Sequence, residues 1–205
     1  MFNKSRVFAV FTCLALIFSI WLTYAQNVND DIAGSVLRLH IIANSDTTPD
    51  QMLKIKVRDR VLSDCGHLFK NAETPAESAE IARENIEFIH DVAANEVYRN
   101  GRDYPLKVTV EDSAFPTKTY GGISLPAGKY TALKIIIGDG IGQNWWCVMY
   151  PPLCFVDGVT VVPESSQEQL KSTLSDDEYE LITETNKSKV KVKFKIAETV
   201  GKYLP

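Results

Sequence analysis

Between Thr48 and Ile137 the hydrophobic period of this chain changes once, at Gly101, and that change restricts the folds open to it. From Thr48 to Gly101 the apolar residues recur at helical spacing. Thr48-Pro49-Asp50-Gln51 and Thr74-Pro75-Ala76-Glu77 both read as helix starts. Each offers a threonine to accept from orphan N–H groups, a proline where an N–H would be wasted, and a Gln or Glu to close a capping box. The first helix is expected to run from Thr48 to about Leu68, with a weak point at Gly66. The second passes through Ile81, Ile86, Ile89, Val92, Ala93 and Val97 and ends near Asn100-Gly101. After Gly101 the period is two. Leu106-Lys107-Val108-Thr109-Val110-Glu111 alternates, Phe115 to Tyr120 is a shorter strand, and Tyr130 to Ile137 is the third. Ahead of the first helix, Val36 to Ala43 is apolar on both faces and has the length of a central strand. The order β-α-α-β-β-β, with short connections between the later strands, predicts an α+β fold with two helices on one face of a mainly antiparallel sheet.

The flanks are read more simply. Gln26 to Ala33 is a polar lead-in. Cys147 to Val162 is apolar, interrupted by prolines and expected to be a loop. Beyond Pro163 the chain turns polar, with helical stretches at Gln167–Leu174 and Asp176–Ile182. A strand then passes through Val190, Val192, Phe194 and Ile196, and Ala197 to Leu204 has the pattern of a last helical piece. The expected organisation is an N-terminal segment at 1–25, an α+β domain at 26–162 and a C-terminal extension at 163–205.

The first 25 residues set the compartment. Lys4 and Arg6 precede an uncharged run from Val7 to Leu22, and Thr23-Tyr24-Ala25 supplies small residues for cleavage after Ala25. This is the pattern of a secretory signal. An uncleaved membrane anchor is the alternative, because Trp21 and Tyr24 lengthen a run that is otherwise short of the roughly 20 residues a span needs. Either way the body is exported. With 22 Lys and Arg against 26 Asp and Glu and no run of one sign, the chain lacks the basic footprint of a nucleic-acid binder.

Export bears on the cysteines. Cys147 and Cys154 are close enough in sequence to form a disulfide in an oxidising compartment. Closing that short loop is worth about 2.5 kcal/mol in the loop-entropy description. The alternative is a thiol–His40 hydrolase dyad, in which a cysteine thiolate attacks and the imidazole serves as base. Cys65 lies in a helical pattern and is expected to be a buried free thiol. No C-x-x-C occurs, and His40, His67 and His90 are widely spaced, so neither a metal nor a cofactor is expected. Gly138-Asp139-Gly140-Ile141-Gly142 is a weak imitation of a phosphate loop, because Gln143-Asn144-Trp145-Trp146 is a poor helix opening. The glycine segment reads as a turn.

Two stretches are candidates for contact with a partner. Trp145, Trp146, Tyr150, Pro151 and Pro152 form an aromatic, proline-stiffened segment beside the cysteine pair. It is either a binding surface, where Trp and Tyr are favoured, or a cap on the core. Arg38, His40 and Asp46 form the second candidate patch. Arg38 and His40 share one face of the first strand, and Arg38 is expected to pair with a carboxylate at the helix start.

The motifs Arg38-x-His40-x-x-Ala43-Asn44-Ser45-Asp46, Asp50-Gln51, Val57-Arg58-Asp59, Asn144-Trp145-Trp146-Cys147 and Pro151-Pro152-Leu153-Cys154 occur in that order. Across roughly residues 5 to 160 the chain resembles the stage II sporulation protein R family. The resemblance implies an exported signalling protein of endospore formation, secreted from the forespore into the space between the septal membranes. Its implied partner is a membrane-embedded aspartic protease of the mother cell, which removes the pro-sequence of the sigma-E precursor. No catalytic residue and no small-molecule substrate are implied. The competing reading from the residues alone is an extracytoplasmic hydrolase acting on cell-wall material, and a passive septal structural protein is the third.

Overall fold

A computed structural model describes residues 4–154 and 162–184. In chain order the elements are α1 (Lys4–Gly34), β1 (Leu37–Ile42), α2 (Thr48–Cys65), a 3-10 turn (Gly66–Phe69), α3 (Pro75–Glu84), α4 (Ile86–Arg99), β2 (Leu106–Phe115), β3 (Lys118–Tyr120), β4 (Ile123–Leu125), β5 (Gly128–Ile137), β6 (Asn144–Tyr150), α5 (Glu164–Thr173) and α6 (Asp176–Glu184). The fold is α+β. Four strands form one sheet in the order β2-β5-β1-β6, and β3 pairs with β4 as a separate hairpin. The β2–β5 and β1–β6 pairs are antiparallel, whereas β1 and β5 run parallel.

Alternation along the strands divides the interior in two. Leu37, Leu39 and Ile41 of β1 and Leu133, Ile135 and Ile137 of β5 face the helix layer, where they meet Leu53, Val57 and Val61 of α2 and Ile89, Ala93 and Val97 of α4. The three β1 side chains are fully buried, and burial of each contributes about 1.5–3 kcal/mol. The opposite face carries Tyr130, Ala132 and Val148. It is covered by the hairpin residues Ile123 and Leu125, the end of α1, and α5 and α6.

Several expectations change. Gln26 to Ala33 is not a loose lead-in: α1 continues through it to Gly34 and buries Ile32 and Ala33. The second helix is broken at Asn85, whose backbone leaves helical geometry (φ −105°, ψ 19°). Its side-chain amide donates to the Ile81 carbonyl at 2.8 Å, a local bond that competes with helix continuation. Phe115 closes β2, and Lys118–Tyr120 opens the hairpin, so they are not one strand. Asn144–Tyr150 is a strand and not part of a loop. The C-terminal helices match the expected stretches. The strand through Val190 to Ile196 and the piece at Ala197–Leu204 lie outside the described residues.

The two helix starts behave differently. Thr74 caps α3 by accepting from the Glu77 N–H at 3.1 Å, and the Glu77 carboxylate accepts from the Glu73 N–H at 2.8 Å. Thr48 is not a cap. Thr47 holds that position and makes no side-chain cap bond. The start of α2 is held through Asp50, which accepts from Asn44 Nδ2 at 2.7 Å, Ser45 Oγ at 2.6 Å and Tyr104 OH at 3.1 Å. Burial alone would raise the Asp50 pKa, but these hydrogen bonds together hold it below its usual value. The glycine turn completes the arrangement. Gly138 has φ +59° and lies against the Asn44 side chain, while Gly142 lies against the Ser45 carbonyl, so neither position has room for a Cβ.

Candidate partner-binding groove

Among the described residues β6 is a margin of the sheet, paired with β1 on one side only. Its tryptophans point to opposite faces. Trp145 registers with Ile41 on the helix side, and the Arg58 guanidinium lies 4.3 Å from its ring centroid. Trp146 registers with His40 on the other side. Its ring is nearly parallel to the imidazole at 6.1 Å, and Lys118 Nζ lies 4.8 Å from its centroid. Both indole N–H groups are buried and have no hydrogen-bond partner among the described residues.

A groove of about 590 Å³ follows this edge. One wall is α2, through Gln51, Lys54 and Ile55. The other is the hairpin, through Lys118, Thr119 and Tyr120. The floor is Gln143 to Cys147, and one end is closed by Leu153 and Cys154. The lining residues include two lysines and no carboxylate. Lys54 Nζ donates to Gln51 Oε1 at 2.7 Å and to the Gln143 carbonyl at 2.9 Å, and burial lowers its pKa.

The two sequence-derived patches meet here. His40 Nε2 is 2.7 Å from Asn144 Oδ1. Burial is the largest influence on the imidazole and lowers its pKa, with the Asn144 bond opposing. Asp46 is exposed and accepts from the Gln143 N–H at 2.7 Å, fixing the entry to β6. Arg38 is fully buried and, among the described residues, has no carboxylate partner, contrary to expectation. The helix-start carboxylate of Asp50 is instead taken by Asn44, Ser45 and Tyr104. Arg38 is enclosed by Phe115, Tyr130 and Tyr120, with Cζ at 4.2, 4.6 and 5.7 Å from the three centroids. It donates from Nη2 to Tyr120 OH at 2.7 Å, and Tyr120 OH donates on to the Trp146 carbonyl at 3.2 Å. Burial pulls the guanidinium pKa down, and the tyrosines oppose it.

Tyr150 and Pro151 do not belong to the groove surface. Tyr150 is 2% exposed and packs in the helix-side core, and Pro151 is buried. Pro152 is exposed, and its carbonyl accepts from Ser166 Oγ at 2.9 Å. Lys54, Lys118 and Tyr120 carry no mark in the sequence as groove residues. The hairpin signal at Tyr120-Gly121-Gly122 is the clue available for two of them.

Cys147 and Cys154 form a disulfide with a Cα–Cα distance of 5.5 Å. Cys147 registers with Leu39, so it projects from the face opposite His40. With its sulfur bonded as well, the thiol–imidazole dyad does not form. Cys65 is a buried free thiol whose pKa burial raises to about 11. Among the described residues no cluster of His, Cys, Asp or Glu has the arrangement to hold a metal ion. Within α1, Phe8–Gly34 is long and apolar enough to cross a membrane, a property shared by signal sequences near an N-terminus.

These features define a disulfide-bonded α+β protein behind an apolar signal or tether, with β6 at the sheet margin, among the described residues, between a helix and a hairpin. The family model for stage II sporulation protein R matches residues 33–160. Stage II sporulation protein R of Bacillus subtilis (strain 168) is 36% identical over 152 residues, covering 71% of this chain and 68% of the relative. The chain belongs to the stage II sporulation protein R family and is, by that membership, a sporulation protein. No solved structure matches the chain.

Proposed function

We propose that the chain is an exported signal of endospore formation that activates a membrane-embedded aspartic protease of the mother cell, which then processes the sigma-E precursor. It acts by contact, from the space between the septal membranes, and not as an enzyme. Family membership, the apolar N-terminal helix and the cystine support this reading. The observation that carries it is the groove along β6, where two half-buried tryptophan rings line the floor and Lys118 lies over one of them. Side chains of this kind concentrate binding energy, and truncating one typically removes about 2 kcal/mol or more.

Activation by contact requires differential binding: the signal must favour the active form of the protease over the inactive form. Converting a population from nearly all inactive to nearly all active takes a preference of about 10⁴-fold, or about 5.5 kcal/mol. Two or three such side chains reach that range. The test is co-expression of this protein, the protease and the sigma precursor in a non-sporulating host. Processing should require the exported protein, and Trp145→Ala or Trp146→Ala should abolish it while the protein remains folded. If the purified protein alone cleaves peptidoglycan or peptides, the hydrolase reading replaces this one.

A further inference from the structure

We propose that the open edge of β6 takes up an extended, acidic segment of the partner as an added strand. This rests on the contact reading above and names its chemistry.

The main chain of β6 shows which groups are open. Ala43 N–H donates to the Gln143 carbonyl across the β1–β6 pair. Because bonded and non-bonded positions alternate in an antiparallel ladder, Trp145 and Cys147 also turn their main chains toward β1, while Asn144 and Trp146 turn theirs outward. The Trp146 carbonyl confirms this orientation, since it is met from the outside by Tyr120 OH. That bond also removes an outward acceptor. What the edge still offers is mainly donors: the N–H groups of Asn144 and Trp146, and the Lys118 ammonium over the Trp146 ring.

A ligand that satisfies this set must bring acceptors at strand spacing. An extended chain does so with its alternate carbonyls, and an acidic side chain complements Lys118, since the Lys54 ammonium is buried and held by Gln51 and the Gln143 carbonyl. A helix has its carbonyls bonded internally and offers none along its side. A second copy of this chain is disfavoured, because edge-to-edge pairing would bring donor-rich, lysine-lined grooves together.

The experiment uses the full chain with the protease in membranes of the reconstituted host. A photo-crosslinking phenylalanine at exposed Thr119, on the hairpin wall, should capture an extracytoplasmic segment of the protease that is rich in Asp or Glu. Lys118→Glu should lower both crosslinking and precursor processing at least tenfold. Asn144→Pro deletes one outward N–H that β1 does not use, and Asn144→Ala removes the same side chain but keeps the N–H. The proline variant should lose at least tenfold more than the alanine variant. Should Asn144→Pro not fold, Lys118→Glu and the crosslink decide. Full processing by Lys118→Glu overturns the proposal, as does a crosslink to lipid, to a second copy or to a basic segment. In those cases processing by the unmodified protein leaves the contact function standing. A complete lack of processing by the unmodified protein removes both.

Discussion

Removing one hydroxyl, that of Tyr120, is expected to destabilise the protein by about 2.5–4 kcal/mol, because a buried cation depends on it. Arg38 is 0% exposed, and its hydrogen bond at 2.7 Å goes to Tyr120 OH, with Tyr130 the second group that favours its charge; Nε and Nη1 have no partner among the described residues. Tyr120→Phe keeps the ring and its share of the aromatic enclosure. It removes a hydrogen bond to a charged group, worth about 1.5–3 kcal/mol, and strands the Trp146 carbonyl at a cost of about 1 kcal/mol more. Arg38→Met in the same background should recover part of the loss, since an apolar side chain of similar length leaves no charge to satisfy. The double-mutant cycle should therefore show a coupling of about 2 kcal/mol. The assay is urea unfolding followed by tryptophan fluorescence. With a slope of about 2 kcal/mol per molar urea, the midpoint for Tyr120→Phe should fall by about 1.2–2 M. A fall of less than about 0.3 M, or a double variant less stable than Tyr120→Phe alone, would refute the dependence of Arg38 on this hydroxyl.

The geometry also dictates three other outcomes. Thr74→Ala should cost about 1 kcal/mol through loss of its cap, whereas Thr48→Ala should change stability by no more than a few tenths, read from the same urea midpoints. Replacing Cys147 and Cys154 together by Ser should cost about 2.5 kcal/mol and reduce precursor processing more at higher temperature; unchanged melting would show that the bridge constrains nothing. Burial holds the His40 imidazole below its ordinary value of 6.5, so stability from its neutral form is present above pH 6.5 and is lost as pH falls below it. His40→Gln should flatten that part of the stability–pH curve, and an unchanged slope would assign the acid sensitivity to other groups.

How much of the fold and of the groove is legible in the sequence depends on how local each cause is. Leu37 to Ile42 is legible because Leu37, Leu39, Ile41 and Ile42 make a short apolar run of strand length between polar flanks. Thr74 is legible because its cap bond spans three residues. Thr48 misleads because the same Thr-Pro signal lies one residue inside the helix, with the start held by Asp50 and the Asn44-Ser45 turn. Strand β6 is hidden because Trp145-Trp146-Cys147-Val148-Met149-Tyr150 is buried or half-buried on both faces, so no alternation marks it, and the prolines after it suggest a loop. The Arg38 enclosure has no local signal at all: Tyr120 is 82 residues away. Its proximity is decided by the hairpin folding over the sheet, and the parallel pairing of β1 with β5 is non-local in the same way.

Helix α1 runs without interruption from the apolar segment into the domain, and this has a mechanical consequence. Tyr24 is exposed at one end of the last turns and Ile32 is buried at the other. The stretch of helix between them, at about 1.5 Å per residue, separates them by about 12 Å. With the apolar segment embedded in a bilayer, the connection is a short rod and not a leash. The domain would ride close to the membrane at a fixed height, so that its search for the proposed membrane-embedded partner would become one of lateral diffusion at a high effective concentration. A cut after Ala25 exchanges that confinement for free diffusion across the gap, and the choice between the two fixes how far from its own membrane the protein can act.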